Sequence, residues 1–173
     1  MKKHNGMRPH DAVVLLKIAA LGKKEWRLMD LSRELYISQS EITESLYRNM
    51  SARLISQDRK KLLKNSLLEF LVYGLKYVYP AKPGNLVRGI PTAHSAKPLS
   101  DIFKGTSEIF VWECYDGDVR GQSIVPLYPN AVKAAKEDPL LYELLALTDA
   151  IRIGSTREYD VAVKELRKRF KQI

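Results

Sequence analysis

Side chains able to catalyse a reaction or hold a metal are scarce in this chain. The only histidines are His4, His10 and His94, and the only cysteine is Cys114. Their spacing matches no HxxxH or HExxH pair and no Cys/His cluster, which are the patterns that zinc sites require. The stretch KPGNLVRG also lacks the spacing and the following helix of a phosphate-binding loop. We therefore expect no catalytic residue, no metal site, no cofactor and no enzymatic activity.

These residues have simpler structural interpretations. His4 belongs to a disordered end, His10 to the start of a helix and His94 to a loop. Cys114 falls in a predicted strand beside Trp112, where a buried thiol without reactivity is expected.

The chain carries a positive charge that is concentrated in its first third. Its 173 residues have a formal net charge of +9. Residues 1–65 contain 14 Lys and Arg against 7 Asp and Glu, a net of +7, whereas residues 66–173 contain 15 against 13, a net of +2. Such a segment attracts polyanions through electrostatic steering and counterion release. The alternative is a basic surface that serves only solubility.

The composition is that of a soluble globular protein, with 45% hydrophobic and 28% charged residues. No apolar run reaches the roughly 18 residues of a membrane span. The basic start MKKHNGMRPH is not followed by the apolar stretch of a signal peptide. A single cysteine allows no internal disulfide, so we expect a cytoplasmic protein.

Apolar periodicity predicts three helices in the first third of the chain. The first covers about residues 10–21 and is amphipathic, and the second covers about 29–35. The third starts at Ser38, where Ser38 and Glu41 form an S-x-x-E capping box. Residues 54–63 follow, with apolar ends around the charged turn QDRK, and they predict a small β-wing.

Residues 31–55 also have the spacing of a helix-turn-helix. Ser32 and Ser45 are small where two helices would cross, Ile37 would fill the turn, and Ile42 and Leu46 would face the core. The sequence LSRELYISQSEITESLYRNMSARLI, with the charged turn after it, resembles the winged helix-turn-helix of bacterial transcriptional regulators, broadly the MarR-like group. The resemblance covers about residues 10–79. It departs from the pattern at Tyr36, because this turn often carries glycine.

The resemblance implies a dimer that binds double-stranded DNA, with a recognition helix in the major groove of each half-site. The side chains implied to face base edges are Gln39, Ser40, Thr43, Glu44 and Tyr47. Those implied to meet the phosphate backbone or the minor groove are Arg27, Arg48, Arg53, Arg59, Lys60 and Lys61.

Two acidic residues of the third helix need a separate interpretation. We expect the Glu41 carboxylate to cap its own helix. Glu44 points outward, where it would accept a hydrogen bond from cytosine N4, or else it indicates a helix-turn-helix kept only for packing.

The rest of the chain predicts further helices and a small β element. A helix over 66–79 is opened by a second capping box, Ser66 and Glu69, and ended by Pro80. Residues 80–106 are rich in Pro and Gly and predict a long loop wrapped over the body. Residues 108–126 predict a β-hairpin around Asp116-Gly117. A helical hairpin follows, with its first helix capped by Asp138 and ended by Gly154.

We therefore expect a mainly α fold with small β elements. Residues 1–79 would form a winged helix-turn-helix domain. Residues 80–173 would form a region of loop, β-hairpin and helices for dimerisation or for binding a partner or effector. The helix over 66–79 and the two C-terminal helices would supply the dimer contacts.

The leading functional hypothesis is a sequence-specific DNA-binding transcriptional regulator, activator or repressor, that acts as a dimer. The alternative is an antitoxin-like interaction protein whose C-terminal half binds a partner protein, with Trp112, Tyr115 and Tyr128 as exposed aromatics. A third possibility is an anionic effector held by Arg152 and Arg157 at the helix start near Ser155.

Overall fold

The computed structural model describes residues 6–173, so His4 lies outside the described residues. The three strands are β1 (Leu86–Pro91), β2 (Phe110–Glu113) and β3 (Val119–Ser123). The helices are α1 (Pro9–Leu21), α2 (Leu28–Leu35), α3 (Gln39–Ser51), α4 (Lys64–Glu69), α5 (Leu75–Val78), α6 (Leu99–Ile102), α7 (Ala131–Glu137), α8 (Pro139–Ile153) and α9 (Thr156–Gln172). The prediction of a mainly helical chain with small β elements is confirmed. Within residues 6–173, every helix is too short or too polar to cross a bilayer.

Helix α1 lies at the centre of the molecule. Its residues 11–19 are all buried, including the charged Asp11 and Lys17, so this segment has no side that faces solvent. The prediction of an amphipathic helix is therefore wrong. Lys17 is buried at 4% exposure, and its ammonium lies 2.7 Å from Glu34 and 2.6 Å from Asp138. Burial alone would lower the pKa of Lys17, but hydrogen bonds to Asp138 and Glu34 hold it above its ordinary value.

The chain turns back on itself after α3, as the predicted wing requires, but it forms less β structure than expected. Ile55 and Leu62 make a single antiparallel bridge. The Ser56 N–H donates to the Lys61 carbonyl at 2.8 Å, and the Leu63 N–H donates to the Leu54 carbonyl at 3.0 Å. We call residues 54–63 the 54–63 turn.

The helix predicted over 66–79 begins two residues earlier, at Lys64. The Ser66–Glu69 capping box is therefore not used, since Leu63 holds the N-cap position. A π-helical turn, Phe70–Gly74, joins α4 to α5, and the helix ends before Pro80 as expected. Of its predicted apolar stripe, Leu67 and Leu71 are fully buried inside the molecule together with Leu75, whereas Val78 is exposed.

The three strands form a small closed barrel in which β1 pairs with both of the others. β1 is antiparallel to β2 and to β3, whereas β2 and β3 run parallel, with Phe110 opposite Gln122. The predicted β-hairpin over 108–126 is therefore wrong. The predicted loop over 80–106 is also wrong in part, because it contains β1, a 3-10 turn at Ala93–Ser95 and α6.

Glycines explain why β1 was missed in the sequence. A Cβ atom at Gly89 would lie 2.0 Å from the Trp112 carbonyl oxygen, and one at Gly117 would lie 2.3 Å from the Gly89 carbonyl carbon. Both glycines are thus points of close backbone approach inside the barrel. The turn at Asp116-Gly117 does form, with the Gly117 N–H donating to the Cys114 carbonyl at 3.0 Å, but it carries the chain across β1.

Helices α8 and α9 form the predicted helical hairpin. The Asp138 carboxylate accepts from the Leu140 and Leu141 N–H groups at 3.1 and 3.0 Å, and Gly154 adopts φ +77° after the last turn of α8. α8 packs on α1, α5, α7 and α9. Buried side chains from residues 1–79 and from 80–173 belong to one continuous hydrophobic cluster, so the two predicted regions share a core.

A buried polar network ties the barrel to α8. The Asp149 carboxylate accepts from the Trp112 indole at 2.6 Å, the Thr92 hydroxyl at 2.9 Å and the Arg152 guanidinium at 2.6 Å. Arg152 also donates to the Tyr79 carbonyl at 2.9 Å. This network fixes Arg152 in the interior, while Arg157 is exposed with its guanidinium 5.2 Å from the Phe103 ring. The two arginines do not converge on Ser155, so the predicted anion site is not formed.

Candidate nucleic-acid interface

The turn between α2 and α3 is built around Tyr36. Its backbone is left-handed, with φ 55° and ψ 39°, a conformation that favours glycine and explains why glycine is common in such turns. The Ser32 hydroxyl closes the turn by donating to the Ile37 carbonyl at 2.6 Å, and the Ile37 side chain packs against the core. The predicted small residue and apolar plug are therefore both in place.

The C-terminal half of the chain holds this turn from outside. The Asn130 amide donates to the Tyr36 carbonyl at 3.1 Å, and the Tyr128 hydroxyl donates to the Leu35 carbonyl. The Lys133 ammonium lies 3.8 Å from the centre of the Tyr36 ring, an attractive cation–π geometry. The side chain of Tyr36 thus gains contacts that a glycine would lack.

The inner side of α3 packs closely against α1. Ile42 and Ser45 are fully buried and Leu46 nearly so, which confirms the predicted apolar face and the small residue at the helix crossing. Asn49 is also buried, and its side-chain amide donates to the Asp11 carbonyl at 3.2 Å.

Arg48 belongs to this inner side. Its guanidinium donates to both carboxylate oxygens of Asp11 at 2.7 Å and to Glu41 Oε1 at 2.6 Å. Its side chain is 10% exposed, and that of Asp11 is fully buried. Hydrogen bonds to Asp11 raise the pKa of Arg48 well above its ordinary value. The placement of Arg48 does not suit the phosphate contact predicted for it, because the side chain is nearly buried and its Nε and Nη2 donors are already used inside the protein.

Glu41 also serves this network rather than capping its own helix as predicted. Its backbone N–H donates to the Ser38 hydroxyl at 3.3 Å, which is one half of a capping box. Its carboxylate instead accepts from Arg48 and from Arg8 at 3.1 Å, and lies 2.8 Å from His10 Nε2. Burial alone would raise the pKa of Glu41, but hydrogen bonds from Arg48 and His10 hold it below its ordinary value.

His10, Asp11 and Glu41 place ligand atoms within 4.8 Å of one another, a spacing that could hold a metal ion. Arg48 already fills this position. Its Nη2 atom lies 2.7 Å from Asp11, 2.6 Å from Glu41 and 3.2 Å from His10 Nε2. A cation would have to displace the guanidinium, so the cluster is an arginine-centred ion pair.

The outer side of α3 is open. Gln39, Ser40, Glu44 and Tyr47 are exposed, as predicted for side chains that face outward. Thr43 is half-buried, and its hydroxyl donates to the Gln39 carbonyl at 2.9 Å. Thr43 therefore offers its methyl group and its oxygen lone pair outward, but no free donor.

The 54–63 turn brings cations to the same side. The Arg59 guanidinium lies 4.1 Å from the centre of the Tyr47 ring, which joins the turn to α3. Arg53, Lys60 and Lys61 are exposed. Within residues 6–173, the ion pairs involve none of these four cations. We define the outer α3 surface as Gln39, Ser40, Thr43, Glu44, Tyr47, Arg53, Arg59, Lys60 and Lys61.

Arg27, at the start of α2, is exposed and lines a cleft together with Lys60 and Lys61 of this surface. Beside it, Trp26 packs against the core while the Lys60 ammonium lies 5.4 Å from the centre of its ring. Trp26 was not predicted to have a role, because the segment KKEWR was interpreted as a short charged connection between two helices. An aromatic residue among four charged ones was the only signal available.

His94 and Cys114, which the sequence assigned no chemical role, make contacts within the protein. His94 is buried, with Nε2 2.9 Å from the Glu108 carbonyl and its ring against Phe110. Cys114 is half-buried just after β2, 2.8 Å from Asp116 and 3.4 Å from the Lys136 ammonium.

Comparisons with known proteins did not assign the chain to a family. No family model matches the chain, and neither the curated proteins nor the solved structures include a similar one by these comparisons.

Proposed function

We propose that the protein binds double-stranded DNA through the outer α3 surface and regulates transcription as a winged helix-turn-helix protein of the cytoplasm. The observation that carries the proposal is an open polar helix face beside four cations, none of which forms an ion pair among the described residues. An α-helix with its side chains is about 10–12 Å wide, which fits a major groove of about 12 Å.

The roles of the side chains follow from their chemistry and exposure. Gln39 offers the paired donor and acceptor that match adenine, and Ser40 offers a hydroxyl to a base or a phosphate. Arg59, Lys60 and Lys61, here called the wing cations, would meet the backbone beside the groove. Tyr47 would hold Arg59 in place through their stacked contact.

A dimer would let two recognition helices span half-sites about 34 Å apart. Two residues of the stripe that the sequence offered for dimer contacts, Leu67 and Leu71, are buried within the protomer. The same helix leaves Tyr73, Tyr77 and Val78 exposed at 61%, 75% and 55%. We place the dimer contact on these three side chains.

A matched pair of variants tests DNA binding. The wing variant replaces all three wing cations with alanine. The control variant replaces three exposed lysines far from α3 in sequence, each outside the ion pairs of the described residues, and removes the same charge: Lys82→Ala, Lys104→Ala and Lys164→Ala. We expect the wild type and the control to shift a duplex taken from upstream of the protein's own gene, and the wing variant to bind it at least about tenfold more weakly. Equal binding by both variants would contradict the proposal.

A second candidate function is supported by the barrel. Arg88 on β1 and Arg120 on β3 are direct cross-strand partners, both exposed, and neither joins an ion pair within the described part of the chain. Like charges in this position destabilise a sheet. Leu86 on the same strand is 67% exposed, and Tyr115 at the adjoining turn is 93% exposed. An acidic and partly apolar segment of a partner protein, as an antitoxin-like protein would bind, suits this face.

The barrel face is tested by charge reversal at both positions. We expect Arg88→Glu/Arg120→Glu to abolish co-purification with the product of a neighbouring, co-transcribed gene and to leave DNA binding unchanged. Unaltered co-purification, or the absence of any stoichiometric partner, would count against this candidate. Of the three aromatics predicted for such a surface, only Tyr115 is exposed, since Trp112 and Tyr128 are buried.

A further inference from the structure

A cleft of about 890 Å³ lies between the α1–α2 connection, the 54–63 turn and the start of α4. Its volume is within the range of roughly 300–1,000 Å³ that small-molecule sites occupy. Three separate segments of the chain supply its cationic lining, which consists of Lys23, Lys24, Arg27, Lys60, Lys61 and Lys64. The acidic side chains in the lining are Glu25 and Asp30.

The cations of this cleft are poorly compensated. Within residues 6–173 none of the six forms an ion pair with an acidic side chain, and Lys64 donates to a main-chain oxygen of Ile173. Asp30 is turned to other partners, since it accepts from the Arg27 N–H at 3.0 Å and lies 3.5 Å from the Arg33 guanidinium. Six like charges around one cavity repel one another, and a ligand with several negative charges would relieve that repulsion.

The wall of the cleft contains an aromatic side chain. Trp26 is half-buried, packed on one side against the core, and has the Lys60 ammonium 5.4 Å from its ring centre. Ile18, Ala19 and Leu62 add apolar lining. An indole face beside several ammonium groups suits a ligand that joins a flat, apolar ring to a chain of phosphates.

We propose that this cleft binds a nucleoside polyphosphate, with the phosphates on the lysines and the base against Trp26. The proposal does not require the protein to bind DNA. Lys60 and Lys61 belong both to the cleft and to the outer α3 surface, so a bound nucleotide would compete with duplex DNA if both ligands bind. The DNA backbone is the other source of the same phosphate chemistry, and the experiment separates the two.

Tryptophan fluorescence of the full chain provides the measurement. The chain has two tryptophans, and Trp112 is 1% exposed, so a ligand in the cleft changes the emission of Trp26. The probes are ATP, GTP, inorganic tripolyphosphate and a 20-base-pair duplex, each titrated at low salt and repeated by calorimetry. The Trp26→Phe variant keeps an aromatic ring against the core and removes the reporter.

We expect ATP or GTP to change the emission and to bind more tightly than tripolyphosphate. With Trp26→Phe, the emission change should be absent, and calorimetry should show weaker nucleotide binding because the smaller ring covers less of the base. Lys23→Ala/Lys24→Ala should weaken nucleotide binding by about tenfold or more, whereas Lys82→Ala/Lys104→Ala should stay within about twofold. All four lysines are exposed, so these changes should leave the fold intact, as a circular dichroism melt would verify.

Four results would overturn the proposal. One is the absence of both heat and fluorescence change with millimolar nucleotide. Another is equal weakening by the two double variants, which would indicate unspecific attraction. If tripolyphosphate binds as tightly as ATP and GTP, the nucleoside contributes nothing to binding in the cleft. If only the duplex gives a response, the cleft is part of the DNA-binding surface and is not a nucleotide site. Nucleotide binding without DNA binding would leave the proposal standing while the proposed regulator function failed.

Discussion

The two sides of α3 use the same kinds of side chain for different purposes. On the inner side, Arg48 has two carboxylate partners and 10% exposure, and it joins α3 to α1. On the outer side, Arg59 has an aromatic face beside it and no acidic partner among the described residues. Two basic residues that look equivalent in the sequence therefore differ in role, because one balances a buried charge and the other is open to a ligand.

The difference arises from Asp11. Its carboxylate is fully buried, and a buried charge is tolerated only when it is paired and hydrogen-bonded. Arg48 satisfies both of its oxygens, so this arginine is required by the fold. No buried charge depends on Arg59, and its guanidinium is available for phosphate.

The largest expected effect is the loss of stability in Arg48→Ala. Leaving Asp11 buried without its cation should lower the free energy of unfolding by about 3–5 kcal/mol in a urea titration. Arg33→Ala, at a side chain that is 68% exposed, is the control and should change it by less than about 0.5 kcal/mol. A loss below about 1 kcal/mol in Arg48→Ala would mean that the network is not required by the fold.

The next effect concerns base preference at Glu44. If the Glu44 carboxylate accepts from cytosine N4, Glu44→Gln should weaken discrimination at one position of the site by about 1–3 kcal/mol. Selection of bound duplexes from a randomised library measures this directly. Unchanged preference, together with tighter binding from the lost negative charge, would show that Glu44 reads no base.

A smaller effect should appear in the pH dependence of stability. The folded-state pKa of Glu41 lies below its unfolded value of about 4.3. Its contribution is therefore present above that unfolded value and is lost as the pH falls through the folded one. The stability difference between wild type and Glu41→Gln should shrink between about pH 6 and pH 3. A difference that stays constant over this range would contradict the ion-pair assignment.

The smallest effect should be that of Arg59→Ala on the fold. An exposed cation–π contact contributes about 0.5–1 kcal/mol, so the free energy of unfolding should fall by no more than that. A larger loss would show that the fold depends on Arg59 as it depends on Arg48, and the two arginines would then not differ in role.

Local sequence patterns were sufficient for the parts of the fold that depend on near neighbours. The bounds of α2, the start of α3, the packing of Ser45 and Ile42, and the cap at Asp138 follow from helical periodicity and from capping chemistry within four residues.

These local patterns could not predict contacts between residues that are far apart in the sequence. Asp11 meets Arg48 from 37 positions away, and nothing in the periodicity of either helix links them. β1 was hidden because Gly89, which reads as a loop residue, is needed where the strand crosses Trp112. Trp112 and Tyr128 were expected on the surface, but their polar atoms find partners inside, on Asp149 and on the Leu35 carbonyl.

The salt dependence of DNA binding tests the central claim most directly. The apparent association constant of the wild type and of the wing variant is measured by fluorescence anisotropy from about 50 to 200 mM salt, a range over which phosphate contacts lose strength steeply. Each phosphate contact contributes about 0.9 to the slope of log K against log salt, so the slope of the wing variant should be shallower by about 2–3. Binding without salt dependence, or equal slopes for the two proteins, would contradict the assignment of the outer α3 surface to DNA.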